Sequence, residues 1–77
     1  MWIPPQVLPQ RMAAKIVRNT APSRARIVRS PTAKGRWQPS LVMDFHEGVS
    51  IAVLGKTGEA LRKWSARHGV HVEGSAA

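Results

Sequence analysis

Two runs of alternating apolar residues, joined by a segment that ends in glycine, constrain the fold of this chain more than any other feature. The apolar residues at alternate positions are Leu41, Met43, Phe45, Val49, Ile51 and Val53. Because successive side chains of a strand point to opposite faces of a sheet, each run predicts a strand with one buried face. Gly48 supplies the positive φ that a tight connection requires. The pattern predicts a β-hairpin.

A helix is predicted directly after this hairpin. Thr57 is a favourable N-cap, and Glu59 suits the positive end of the helix dipole. Leu61 and Trp64 fall on one helical face, which predicts that Trp64 belongs to the core. Gly69 is a natural residue to end the helix.

Further strands are predicted on both sides of the hairpin and helix. Residues 24–30 alternate and predict an edge strand that presents its arginines on one face. Turn residues follow at 31–35, and Pro39 interrupts or borders the next strand. Residues 70–73 offer a fourth short strand. The predicted fold class is α+β, with a three- or four-stranded antiparallel sheet and one C-terminal helix packed on one face.

The domain boundaries follow from this pattern. Residues 24–73 are predicted to form the β-β-β-α domain, and residues 74–77 a disordered tail. Residues 1–23 are predicted to form a basic, partly disordered N-terminal arm, because three prolines interrupt its first nine residues. The first eight residues are therefore expected to be irregular. Residues 9–18 have the pattern of a short helix, which is marginal alone in water.

Size and composition limit how such a domain is stabilised. The chain has 77 residues and no cysteine, so disulfides and thiolate metal sites are excluded. A single core of this size is marginal, and a second copy of the chain or a bound partner would help to stabilise it. The longest apolar run, residues 51–54, is far shorter than the roughly 20 residues of a membrane span. These features predict a cytoplasmic protein with no membrane partner.

Positive charge is concentrated in the first part of the chain. Residues 1–43 contain eight Lys and Arg and no Asp or Glu, whereas residues 44–77 contain four charges of each sign. The first segment therefore accounts for the whole net charge of +8. Such a segment is typical of arms that bind polyanions.

This charge pattern, with a tryptophan among the arginines, predicts a small prokaryotic or phage-type accessory protein that binds DNA or RNA. Arginine presents a fork of donors to phosphate, and an indole can stack on a base. Contacts to phosphate fix position without reading sequence, so a weak sequence preference is expected. The alternative for Trp37 is a place in the core. The predicted contact residues are Arg18, Arg24, Arg26, Arg29, Lys34, Arg36, Trp37, Arg62, Lys63 and Arg67.

Two other functions are compatible with the same sequence. The first is a protein-interaction module, such as a phage-type inhibitor, that docks on an acidic or nucleic-acid-binding surface of another protein. Its docking segment would be an apolar cluster near the N-terminus that orders on binding. This cluster consists of Trp2, Ile3, Val7 and Leu8. The second is a structural subunit of a large assembly.

One triplet has the composition of part of a nucleotide-binding motif. Gly55, Lys56 and Thr57 lie between a predicted strand and a predicted helix, as at the end of a phosphate-binding loop. Such a loop requires a glycine five residues before Gly55, and that position is Ser50. A glycine turn followed by a threonine cap therefore explains the triplet.

The sequence contains no motif that predicts catalysis, a metal site or a cofactor. The candidate ligands lie in segments that need not meet, and they are Asp44, His46, His68 and His71. Solvent-exposed histidines near a turn and a helix end are the expected interpretation. No serine lies in a nucleophile motif, so a non-enzymatic protein is predicted.

Overall fold

A four-stranded mixed sheet and two helices make up the fold, and the predicted α+β class is confirmed. The computed structural model describes residues 5–31 and 34–73, apart from the side chain of Glu47. In chain order the elements are β1 (Gln6–Val7), α1 (Gln10–Asn19), β2 (Arg24–Pro31), β3 (Trp37–Asp44), β4 (Ser50–Leu54) and α2 (Gly58–Arg67). The strand order across the sheet is β1-β4-β3-β2.

Strands β2, β3 and β4 are antiparallel neighbours. Leu41 of β3 lies opposite Ile27 of β2 and Val53 of β4. Alternation along the strands therefore places these apolar side chains on one face of the sheet. The strand β2 forms one edge of the sheet, as predicted.

The connection between β3 and β4 is short and contains one 3-10 turn, His46–Gly48. The Phe45 N–H donates to the carbonyl oxygen of Val49 at 2.7 Å, which closes the connection. Gly48 has φ 75°, a left-handed conformation that residues with a Cβ rarely adopt. The predicted hairpin and the role of Gly48 are confirmed.

The fourth strand comes from a different segment than predicted. Residues 70–73 contribute only an isolated parallel bridge, between Glu73 and Arg26. Instead, β1 pairs in parallel with β4, so the prediction of an irregular start is wrong for Gln6–Val7. The nearby prolines flank β1 rather than interrupt it, and an edge strand needs hydrogen bonds on one side only.

The core lies between one face of the sheet and both helices. The helix α1 buries Ala13 and Val17, and α2 buries Leu61 and Trp64. The helix predicted at residues 9–18 is present, shifted by one residue along the chain. The predicted core position of Trp64 is confirmed, because only 6% of its surface is exposed. The buried apolar cluster consists of Ala13, Val17, Ala25, Leu41, Met43, Ile51, Val53, Leu61, Trp64 and Val70.

The helix α2 begins and ends as the sequence predicts. Thr57 Oγ1 accepts a hydrogen bond from the backbone N–H of Ala60 at 3.0 Å, which is the expected N-cap. Gly69 follows the last turn with φ 70°, and the Val70 N–H donates to the carbonyl oxygen of Ser65 at 2.8 Å. Both helices have ten residues, and throughout the described ranges no helix is long and apolar enough to cross a membrane.

Candidate nucleic-acid interface

Hydrogen bonds bring the starts of both helices to the end of the sheet that carries the β2–β3 turn. Gln10 Nε2 donates to the carbonyl oxygen of Leu54 at 3.2 Å. Gln38 Nε2 donates to the carbonyl oxygen of Gly55 at 3.3 Å, and the Gly55 N–H donates to the carbonyl oxygen of Pro39 at 3.2 Å. We call this region the turn end, and it comprises Arg11, Arg29, residues 34–38 and Lys56.

The turn end is strongly basic. Arg11, Arg29, Lys34 and Lys56 are exposed, and within the described part of the chain none of these four contacts a carboxylate. Arg36 is exposed in the same region. Because the cations come from four separate segments, the fold itself assembles the charge cluster. Such a surface can neutralise several phosphates.

Trp37 adds an aromatic surface to the turn end. It lies opposite Pro31 at the last pair between β2 and β3, four residues from the buried Leu41. The sheet projects beyond the core here, and 64% of the Trp37 surface is exposed. The alternative prediction, a core position for Trp37, is therefore wrong. Arg29 lies opposite Pro39, on the same face of the sheet as Trp37.

The arginines of β2 do not share one face, contrary to the prediction. Arg24 and Arg26 lie on the face that the helices leave open, whereas Arg29 lies on the other face with Ala25 and Ile27. The cause is the two-residue period of a strand, because Arg29 lies three positions after Arg26, and an odd offset places a side chain on the opposite face.

At the opposite end of the sheet, the charge of two predicted contact residues is compensated. Arg24 Nε donates to Glu73 Oε2 at 2.9 Å, and this hydrogen bond, together with the charge of Glu73, raises the pKa of Arg24. Arg26 Nη1 lies 3.8 Å from Asp44 Oδ2, and Ser50 Oγ donates to Asp44 Oδ1 at 2.7 Å. Arg24 and Arg26 are therefore weaker candidates for phosphate contact than the cations of the turn end.

The helix α1 extends the basic surface away from the turn end. Arg11, Lys15 and Arg18 are exposed and form a line about 10 Å long, at spacings of four and three residues. Arg18 was among the contact residues predicted from the sequence, but Arg11 and Lys15 were not, although their helical spacing would have identified them. Lys56 was also missed, and only the hydrogen bonds of its neighbour Gly55 reveal where it lies.

The helix α2 carries the remaining predicted contact residues, Arg62, Lys63 and Arg67, which are all exposed. Lys63 Nζ lies 3.8 Å from Glu59 Oε1, one helical turn away, so a carboxylate partly compensates its charge. The helix begins at the turn end, and the chain that follows it reaches the opposite end of β2. Arg67 therefore lies farthest from the turn end of these three residues.

The predicted docking cluster is divided in the structure. Val7 lies in β1 and is 57% exposed, whereas Leu8 packs against the core. Trp2 and Ile3 lie outside the described residues.

On the face of the sheet that the helices leave open, residues from all four strands line a cavity of about 320 Å³.

Gly55 has a packing role in the triplet that precedes α2. A Cβ at this position would lie 2.6 Å from Leu61 Cγ, so a side chain there would clash with the core. Lys56 is exposed, and Thr57 caps the helix. The predicted threonine cap is confirmed, whereas Gly55 is required by packing against Leu61 rather than by a positive φ.

His68 packs within its own helix end. Its Nδ1 lies 2.8 Å from the carbonyl oxygen of Trp64. The centroids of the His68 imidazole and the Trp64 indole are 4.4 Å apart. Over residues 5–31 and 34–73, no group of three or more His, Asp or Glu is placed to hold a metal ion.

Comparisons with known proteins return no match, whether with family models, with curated proteins or with solved structures. The proposed function rests on the geometry and charge of the turn end.

Proposed function

We propose that this chain binds nucleic acid through the turn end. The observation that carries the proposal is the exposed Trp37, which shares the turn end with four exposed cations that contact no carboxylate of the described chain: Arg11, Arg29, Lys34 and Lys56. A nucleic acid presents phosphates and flat bases, and this surface offers a partner for each: positive charge and an indole. An acidic protein surface would use the charge as well, but it would also need an apolar pocket to bury the indole.

The distribution of ion pairs supports the turn end over the opposite end of the sheet, where Arg24 and Arg26 are paired with carboxylates. The described carboxylates each contact a cation elsewhere, and these pairs are Asp44 with Arg26, Glu59 with Lys63 and Glu73 with Arg24. Arg11, Arg29, Lys34 and Lys56 have no such partner within the described residues. Phosphates that bind to them would release condensed counterions, which favours binding at low salt.

The proposed activity is binding without catalysis and with weak sequence preference. The turn end offers guanidinium, ammonium and indole groups, and it has no histidine, carboxylate or thiol. Those absent groups are the common carriers of acid–base and nucleophilic catalysis. Contacts to phosphate carry no sequence information, so DNA and RNA are both compatible ligands.

A matched pair of variants on β2 tests the proposal. Arg29→Gln removes a charge that has no carboxylate partner in the described chain, whereas Arg24→Gln removes one that is paired with Glu73. We expect Arg29→Gln to weaken the binding of a labelled oligonucleotide several-fold and to reduce the log–log salt slope by about one. Arg24→Gln should change both quantities much less. Equal effects of the two variants would contradict the proposal.

The open face of the sheet favours a second candidate function, the docking of a protein partner. Val7 and Leu54, which are 57% and 37% exposed, border the cavity of about 320 Å³ on this face. Apolar surface of this kind is common at protein interfaces. Val7→Asp would weaken the binding of such a partner, while the affinity of the turn end for nucleic acid would stay the same.

A further inference from the structure

We propose that the turn end selects unpaired nucleotides, so that its ligand is a single strand rather than a duplex. This inference rests on the proposed nucleic-acid binding. Trp37 provides the stacking surface, and Arg29 provides a phosphate contact beside it. A single strand can place a base on an indole, whereas the bases of a duplex are already stacked on their neighbours.

Trp37 is held in a position that suits stacking on a free base. It occupies the last pair between β2 and β3, with 64% of its surface exposed. Pro31 lies opposite, and Pro39 lies two residues further along the strand. Both prolines have a fixed φ, so the backbone around the indole is stiff. A base that stacks there orders little of the protein, which keeps the entropic cost of binding low.

Arg29 lies close enough to Trp37 for one nucleotide to contact both. Arg29 is opposite Pro39, which makes it the diagonal neighbour of Trp37 on the same face of the sheet. Diagonal neighbours on adjacent strands have Cα atoms about 7–8 Å apart, within reach of a long arginine side chain. Lys34 lies in the turn, where Gly35 has φ 80° and allows the chain to reverse. A single-stranded nucleic acid can therefore stack a base on the indole of Trp37 while Arg29 and Lys34 bind its phosphates.

A duplex would use the same surface in a different way. It would present rows of phosphates to the cations, and Trp37 could stack only after a base had left the helix. The contribution of Trp37 to affinity therefore differs between the two ligands. Measuring that contribution identifies which ligand the surface fits.

The test compares Trp37→Ala, Trp37→Phe and the wild type in titrations with a single strand and with a duplex at one salt concentration. We expect Trp37→Ala to weaken single-strand binding by about 5- to 150-fold, the usual range for one stacked base. Trp37→Phe should retain most of the affinity, because it keeps an aromatic ring. The salt slope should not change, since stacking releases no counterions. The matched control is Val49→Ala, which removes another exposed apolar side chain, 53% exposed, at the opposite end of the sheet.

Three outcomes would overturn the inference: an unchanged affinity in Trp37→Ala, equal losses for both ligands, or a wild-type preference for the duplex. Each of them leaves the proposed function intact if wild-type binding remains salt-dependent. If the wild type binds neither ligand, the proposed function itself fails, and the inference fails with it. Trp37 lies outside the core cluster, so loss of folding does not confuse the result.

Discussion

Gly55→Ala is expected to destabilise the fold, because the new Cβ would overlap Leu61. It would lie 2.6 Å from Leu61 Cγ and 2.8 Å from Leu61 Cδ2, whereas carbon atoms in contact prefer about 3.5–4.0 Å. Leu61 is fully buried, so its side chain cannot move aside into solvent. Overpacking of this kind costs about 1–3 kcal/mol, and the lower entropy of the unfolded alanine chain returns about 0.4–1 kcal/mol. The expected net loss of unfolding free energy is about 1–2 kcal/mol.

The assay is denaturant unfolding of a double-mutant cycle with Leu61→Ala. Leu61→Ala alone removes a buried side chain and should cost about 2–5 kcal/mol, so all four proteins are compared in a stabilising osmolyte. In the Leu61→Ala background the atoms that Cβ overlaps are absent. Gly55→Ala should therefore be neutral or slightly stabilising there.

Two results would refute the reasoning about Gly55. An equal loss of stability in both backgrounds would show that Leu61 is not what restricts this position. A Gly55→Ala protein with unchanged stability and weaker binding of nucleic acid would show that the glycine contacts a phosphate, as in a phosphate-binding loop.

Two further predictions concern the ends of α2, and both are measured by thermal unfolding. Thr57→Ala should lower stability by about 1 kcal/mol, because the N–H of Ala60 loses its capping oxygen, whereas Thr57→Ser should retain it. An equal loss in both variants would contradict the role of the cap. Gly69→Ala should lower stability by about 1–2 kcal/mol, because φ is 70° at this position. No neighbouring atom would clash with the new Cβ, so the backbone conformation alone accounts for the loss. Its control is Gly58→Ala, which also has open space but no positive φ, and equal melting temperatures would contradict the conformational explanation.

The parts of the fold that the sequence predicted are those with local signals. The hairpin of β3 and β4 follows from alternation on both sides of Gly48, and α2 follows from its cap and its apolar face. Residues close together in the chain determine these features, so a local pattern is enough to predict them. The strand β1 was missed because two residues are too few to show an alternation of apolar and polar side chains. Its pairing also depends on Ile51 and Ala52, which are far along the chain.

The candidate site was predicted in composition but not in arrangement. Arg29, Lys34, Arg36 and Trp37 were selected from the sequence, whereas Arg11 and Lys56 were not. The exposure of Trp37 depends on how far the sheet extends beyond the core. The position of Lys56 depends on hydrogen bonds across the fold, and Gln10 and Leu54, which bring α1 to the same end, are 44 residues apart. The ion pair of Arg24 with Glu73 joins residues 49 apart. Pairings over such distances in the chain depend on the complete tertiary structure.

The salt dependence of single-strand binding by the wild-type protein tests the central claim most directly. Four of the turn-end cations, Arg11, Arg29, Lys34 and Lys56, contact no carboxylate within the described residues. Four phosphate contacts, each contributing about 0.7 to the log–log slope for a single strand, predict a slope of about −3. A slope near zero, or no binding at low salt, would contradict the account.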